Sequence, residues 1–585
     1  MLSWAVTALL RTVHISSALL ATVGLDVGLW SPQATLENNS SYDYIVVGAG
    51  TAGCVVARRL AEDKTNNVLV LEAGGDPIIE AMLPALFPLL PNSIVDYNYT
   101  STPDEYAARS QNNHTMLTAG KMLGGSASLN HYLTFRGVAA DYDSWAKLLN
   151  DESWNFENVL PYFKKSERVV DDEIIKQYGE YHGTEGPWGI SRQLEDADAI
   201  AKYLESFAEA DNPTVLDLNA DTGIGYEQPQ YMIADKKRQT PAYSYLNPIK
   251  DYSNLFVSKD TRVTKIIFEN NVAVAVEAIF KGKTYTIRAN KEIIISAGVF
   301  NTPQILMLSG IGPKEHLKTF NIDVLSDLPV GETWVDQVAV TLVQKVKKYL
   351  LPIPDPAALL LNPFKIPFPV FVGAAAVNKS QSRPDYHTYN LLFQHDTPFL
   401  TLACTAAFGF RDEICDRWQK QVISRDSLYT YLVHLQPKSR GSVRLRSADP
   451  FDDPLITTGY FSKDEDLQDM LRFVKDFITV GDTKYFKQIG AGLVGLDLPE
   501  CADKEKGSDE FWTCYILNHA SSSFHASCSC PMGTVLDSKL KVKGVQNLRV
   551  VDASAMPYIP RAGPNAVVIM MAEKASDMIK SDNSS

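Results

Sequence analysis

Tyr42–Val47 (YDYIVV) is a short apolar run, the pattern of a strand. It breaks at Gly48-Ala49-Gly50-Thr51-Ala52-Gly53, after which Cys54–Leu60 carries apolar side chains at helical spacing. A second apolar run, Val68–Leu71 (VLVL), ends on Glu72, 24 residues after Gly48. The pattern predicts strand, glycine turn, helix, strand, an arrangement suited to a dinucleotide. Gly48 permits the tight turn, Gly50 lets the backbone approach a pyrophosphate, and Gly53 lets the helix pack on the strand. The unpaired N–H groups at the start of the helix face the anion. Glu72 is placed to accept hydrogen bonds from ribose hydroxyls, and its negative charge argues against a 2′-phosphate, leaving NAD or FAD.

Composition narrows the picture further. The 585 residues are 45% apolar and 21% charged, values of a globular chain rather than a disordered or fibrous one. At ~150 residues per domain the length allows several domains, or two large interleaved ones. Lys and Arg number 55 against 69 Asp and Glu, so 55 − 69 = −14, a balance that repels phosphate backbones and excludes nucleic acid as an expected partner. The apolar stretch from Met1 to Trp30 resembles a secretory leader, expected over residues 1–25, and no apolar run is long enough for a stable membrane anchor. Sequons at Asn38, Asn39, Asn98, Asn113, Asn378 and Asn583 fit an extracellular, glycosylated chain. Of the seven cysteines, Cys54 lies in the helix after the glycine turn and reads as a buried thiol. Cys404, Cys415, Cys501, Cys514, Cys528 and Cys530 allow fifteen pairings. Cys528 and Cys530 stand too close in sequence for a structural zinc site, so no metal is expected.

Three further blocks carry a resemblance. Gly120-Lys121-Met122-Leu123-Gly124-Gly125-Ser126-Ala127-Ser128-Leu129-Asn130, continued by Phe135-Arg136-Gly137, is similar to the first signature of the glucose-methanol-choline (GMC) flavin oxidoreductases. Ser296–Gln304 (SAGVFNTPQ) with Leu308–Pro313 is similar to the second. The stretch from His525 through Met532-Gly533, then Leu548–Ser554, Pro557 and Asn565, resembles the carboxy-terminal active-site block. The resemblance implies an α/β fold in two parts. A Rossmann-like FAD-binding domain is assembled from residues 42–165, 215–330 and 520–580, and an α+β substrate-binding domain from residues 166–214 and 331–519. FAD is the implied cofactor.

The same resemblance assigns residues. Gly124 and Gly125 lie where the family brings backbone against the cofactor, and lack of a Cβ makes that approach possible. Asn130 matches an Asn near the flavin ring, whose amide donates to a flavin acceptor or accepts from a flavin N–H. Some members attach FAD through a histidine just before this Asn; Leu129 stands there, so FAD is expected to be non-covalent. Asp552 matches the acid beside the ribityl and pyrophosphate, and Val263 the residue whose backbone meets adenine. His525 matches the catalytic base, which removes a hydroxyl proton while hydride leaves carbon for the flavin N5. Asn565 matches the second polar residue, an amide that steadies negative charge on the substrate oxygen.

Departures from the family pattern are also legible. Ala526, Cys528 and Ser529 replace the usual Pro, Gly and Thr of the catalytic block, and Asp336-Gln337 stands for the usual Asp-His. The leader and the Lys438–Ile456 segment are similar to secreted animal members of the family. The apolar, proline-rich run Leu351–Pro369 reads as a wall or lid of the substrate channel, or equally as buried irregular core or a dimer surface. Together these features lead to an expected small-molecule alcohol substrate, bulky and apolar, such as ecdysone, with oxygen or a quinone as electron acceptor. A sugar dehydrogenase using a quinone, a catalytically silent FAD-binding relative and an NAD-dependent dehydrogenase are the alternatives.

Overall fold

The computed structural model describes residues 29–220, 223–347, 350, 363–395, 397 and 399–583. The expected leader lies outside the described residues, as does residue range 351–362 of the proline-rich run.

Two seven-stranded sheets organise the chain. The first contains β1 (Ser41–Val47), β2 (Val68–Leu71), β3 (Leu255–Ser258), β4 (Thr261–Glu269), β5 (Val272–Phe280) and β6 (Lys283–Ile295) in the order β3-β2-β1-β6-β5-β4. β6 plays two parts. Its first half pairs antiparallel with β5, and its second half lies parallel between β1 and the strand Leu548–Val550. β2 and the end of β1 are continuously buried, as expected for central parallel strands covered on both faces. The chain leaves β1 toward β2 on one side and meets β6 on the other, so a crevice opens beyond the carboxyl ends of β1 and β6.

Helix α1 (Thr51–Ala61) follows β1 and packs on α3 (Pro564–Asp582). Gly53 lets α1 sit tight against the turn that leaves β1, because a Cβ there would lie 1.9 Å from Gly48 O. Arg59 of α1 is mostly buried and binds Glu573 and Asp577 of α3. The carboxy-terminal helix is thereby fastened to the first glycine turn. α2 (Gly298–Leu308) starts at the end of β6, where Asp552 receives Gly298 N at 2.9 Å and Thr302 Oγ1 at 2.6 Å.

The second sheet is antiparallel. It contains β7 (Val338–Lys345), β8 (Val370–Ala375), β9 (Tyr386–Phe393) and β10 (Ser427–His434) in the order β7-β10-β9-β8, with Gly492–Leu493 at one edge and Gly225–Glu227 at the other. Ala520–Ser522 also pairs with β7. Gly225–Glu227 and Ala520–Ser522 thus sit in the second sheet, although they fall within the ranges 215–330 and 520–580 expected for the nucleotide-binding part. Each is where the chain crosses between sheets. Disulfides join Cys404 to Cys415 and Cys501 to Cys514, and Cys54, Cys528 and Cys530 are buried thiols. Each bridge closes a short loop, a constraint worth on the order of 3 kcal/mol through the unfolded chain. Among the described residues, no helix is long and apolar enough to cross a membrane and no cluster of ligating side chains could hold a metal ion.

Candidate active site

A single cavity runs from the glycine turn at the end of β1 to the face of the second sheet. Of the residues singled out in the sequence, Gly48, Gly50, Glu72, Gly125, Asn130, Val263, His525, Asp552 and Asn565 all line it. Gly53 and Gly124 do not. Gly53 serves the packing of α1, while Gly124 forms the turn, its N–H bonded to Ala49 O at 2.7 Å.

One half of the cavity is built from backbone. α1 begins at Gly50 with no side chain capping its first turn, so its free N–H groups form a site for an anion. A Cβ at Gly50 would meet nothing nearer than Gly125 Cα at 3.8 Å; it would occupy the cavity itself. Gly125, with φ +54°, has no such latitude, since a Cβ there would come within 2.7 Å of Gly50 Cα. Glu72 lies beside them, accepting Ala49 N and Gly74 N, each at 2.7 Å. Burial pushes its pKa up to about 7 despite these two donors. Asp552 also accepts Ser554 N at 2.8 Å and Ser554 Oγ at 2.5 Å, and burial raises it as well. Two glycine backbones, an uncapped helix start and a carboxylate suit the phosphates and ribose of an adenine dinucleotide.

Asn130 sits where the two halves meet. Its Oδ1 accepts Tyr132 N at 3.1 Å and Arg238 Nη1 at 2.8 Å. The Arg238 guanidinium is fully buried, lies 3.5 Å from the centre of the Tyr132 ring and also donates to the carbonyls of Ala127 and Asn130. With its oxygen engaged, Asn130 presents its Nδ2 donors, one of them 3.5 Å from Met232 Sδ. Tyr132 N and Arg238, both donors, fix which way the Asn130 amide is turned. Asn565, in the first turn of α3, is arranged alike: Oδ1 is 3.5 Å from Thr51 Oγ1 and Nδ2 is 3.5 Å from the same Met232 sulfur.

His525 follows the strand Ala520–Ser522. Its backbone N–H donates to Asp336 Oδ1 at 2.9 Å, and its Nδ1 is 2.7 Å from Gln337 Oε1. Asp336 also accepts Ser522 Oγ at 2.5 Å, Tyr460 OH at 2.7 Å and Ser523 Oγ at 3.3 Å. Burial, with smaller contributions from His387 and His131, lowers the His525 pKa to about 3, so the ring is neutral across the physiological range. The other nitrogen, Nε2, faces the start of α3, where a Cβ on Gly563 would be 3.0 Å away. Sequence reasoning did not include Gly563 or Gln337 among the site residues. Gln337 was visible there only as a departure from a motif, and Gly563 carried no signal.

The other half of the cavity is apolar. Phe87, Phe368, Phe393, Phe399, Phe408 and Phe524 form much of its wall, with Phe368 edge-on to Phe87, Phe393 and Phe399. Ile366 and Phe368, the described end of the proline-rich run, belong to this wall. Polar side chains here include His131, Tyr231 and Tyr389. Burial and the Arg238 charge lower the His131 pKa to about 4, keeping that ring uncharged as well.

Comparison with known proteins agrees with this architecture. Residues 42–339 and 437–572 match the amino- and carboxy-terminal models of the GMC oxidoreductases. The ecdysone oxidase of Bombyx mori is 38% identical, the match covering 94% of this chain and 83% of the relative; that of Spodoptera littoralis is 35% identical, covering 94% and 93%. An oxygen-dependent choline dehydrogenase of Staphylococcus xylosus is 32% identical over 92% of this chain and 95% of the relative. Among solved structures, a formate oxidase of Aspergillus oryzae is 26% identical and superposes with a TM-score of 0.78, covering 94% of this chain and all of that one. The glycine cradle, the polar pair and the match along both halves of the chain lead to one conclusion: the chain belongs to the GMC oxidoreductase family and is an FAD-dependent alcohol oxidoreductase.

Proposed function

We propose that the protein oxidises a bulky, largely apolar secondary or primary alcohol, an ecdysteroid such as ecdysone being the leading candidate, with His525 as the base. The observation that carries this reading is the aromatic chamber on the far side of His525. A hexose placed there would strip water from several hydroxyls with few side chains to replace it, at a cost of roughly 1–3 kcal/mol for each unsatisfied group. A fused-ring body gains from burial against phenylalanine, and its few hydroxyls need only the few polar groups His131, Tyr231 and Tyr389. The two relatives named ecdysone oxidases support the same choice.

Gly48, Gly50, Gly125, Glu72, Val263, Asn130 and Asp552 would hold FAD, which supplies the acceptor for the hydride leaving the alcohol carbon. His525 Nε2 takes the hydroxyl proton, and desolvation of the ring favours the neutral state that this requires. Asn565 Nδ2 donates toward the substrate oxygen and offsets the charge that grows there as the proton departs. Gly563 leaves room beside Nε2 for that oxygen. Leu129 offers no nucleophile for attachment to the flavin, which favours non-covalent binding. Oxygen or a quinone would be the final electron acceptor. Two disulfides and exposed sequon asparagines at Asn38, Asn39, Asn98, Asn113 and Asn378 support passage through the secretory pathway.

Mixed anaerobically with ecdysone, the yellow protein is expected to bleach, and with glucose to keep its colour; acid precipitation should release the flavin into the supernatant. Bleaching by glucose alone would reverse the substrate reading, and flavin pelleting with the chain would overturn non-covalent binding. Chain secreted from insect cells should lose mass on treatment with a glycan-removing amidase, and intracellular retention with no mass change would contradict the extracellular assignment.

His525→Ala should lower kcat by about 10²–10⁴-fold with FAD retained. Because only the neutral imidazole is active and its pKa is depressed, kcat/KM of the native enzyme should hold its plateau well below pH 6.5 and fall only in strong acid; an acid limb at or above 6.5 would contradict this. In Gly563→Ala the backbone, at φ −66°, accepts the substitution, while the new methyl crowds Nε2. Turnover per encounter, kcat/KM, should drop by about 10- to 100-fold at unchanged melting temperature, and a full-rate variant would show that the substrate oxygen lies elsewhere.

A further inference from the structure

His525 is held through one ring nitrogen, and the group holding it is itself unable to turn. Gln337 is fully buried. Its Nε2 lies 2.9 Å from the carbonyl oxygen of Leu435 and 3.0 Å from that of Pro560. Two acceptors in those positions require the amide nitrogen, since an amide oxygen there would face two others with no proton between them. Oε1 is consequently the atom turned to His525, 2.7 Å from Nδ1. Because that oxygen has no hydrogen, Nδ1 must carry one, and the ring lone pair is left on Nε2 against Gly563.

We propose that Gln337 is a positioning residue for proton abstraction, which locks His525 as the Nδ1–H tautomer and keeps a basic Nε2 on the substrate side of the cavity. The inference rests on the reading of His525 as the base. It goes further in assigning the task to a residue at which the family resemblance leads to a histidine. A neutral amide orients the ring without the negative charge that a carboxylate would add, and so without stabilising the imidazolium. The titratable groups around His525 are consistent with this economy. Asp336, at the end of the segment leading into β7, is committed to the backbone N–H of His525 and to three hydroxyls. His387 of β9 is buried and His131, in the loop after the Gly124-Gly125 turn, lines the cavity; desolvation lowers their pKa values to about 3 and about 4.

The test uses FAD-loaded full-length enzyme and the variants Gln337→Glu and Gln337→Met. In enzyme labelled with ¹⁵N-histidine, the resonances missing from His525→Ala belong to His525; the native spectrum should show a protonated Nδ1 and an unprotonated Nε2, and a protonated Nε2 would overturn the proposal outright. Gln337→Met, which removes the acceptor, should lose at least tenfold in kcat with ecdysone at nearly constant KM. Gln337→Glu restores an acceptor, so it should recover most of that turnover while moving the acid limb of kcat/KM upward by a pH unit or more. A residue that only filled space would leave the limb where it was, and an unmoved limb with unchanged His525 resonances in both variants refutes the lock. Full turnover in His525→Ala would instead bring down the base assignment. Should Gln337→Glu fail to bind FAD, the native nitrogen spectrum and Gln337→Met decide the matter.

Discussion

The active site depends on the antiparallel register between β7 and the strand Ala520–Ser522. Val338 pairs with Ser522, and pairing resumes where Val335 meets Ser527. Between those pairs, Asp336 and Gln337 on one strand face residues 523–526 on the other, an irregularity of two against four. Such bulges bend a strand and re-aim its side chains. Here the bend turns the backbone N–H of His525 to Asp336 and its ring to Gln337. A slip of one residue would exchange inward and outward side chains along the pair, and the imidazole would lose both supports.

Buried acids secure the surrounding loops. Asp336, Asp552 and Glu72 are each nearly inaccessible to water, an unfavourable position for a carboxylate unless donors surround it. Asp336 ties Ser522, Ser523, His525 and Tyr460 together, and Asp552 joins the end of the strand Leu548–Val550 to the start of α2. Glu72 links the glycine turn to Gly74. Each carboxylate spends its lone pairs on backbone or hydroxyl groups that would otherwise be buried unsatisfied. The same economy governs the histidines. Burial leaves His131, His387 and His525 neutral, so no imidazolium stands in the chamber where an apolar substrate would lie.

The two halves of the cavity have opposite chemistry for a reason that lies in the two sheets. At the carboxyl ends of parallel strands, turns and helix starts expose backbone N–H groups, which suit phosphate and ribose. The antiparallel sheet instead offers the side chains of one face, here Val370, Tyr389, Leu391, Phe393 and Tyr431, and these suit a hydrocarbon. His525 and Asn565 lie where the chain has passed from the second sheet back to the first, which brings an imidazole and an amide to the junction.

Local sequence was sufficient for the elements whose logic is local. The strand, glycine turn and helix from Tyr42 to Ala61 are present as the apolar pattern implied, because an apolar strand, a turn that needs glycine and a helix with apolar residues at helical spacing each declare themselves within a few residues. The long GMC motifs likewise identified FAD chemistry and singled out residues that do line one cavity. What sequence could not supply were relations across distance. Which cysteines pair, that Gly125 faces the cavity while Gly124 only makes the turn, that Arg238 sets the orientation of Asn130, and that Gly563 adjoins His525 all follow from contacts between segments remote in the chain. Gln337 is the clearest instance. It stands 188 positions from His525, and nothing in its neighbours reveals that two backbone carbonyls fix its amide and, through it, the proton of the imidazole.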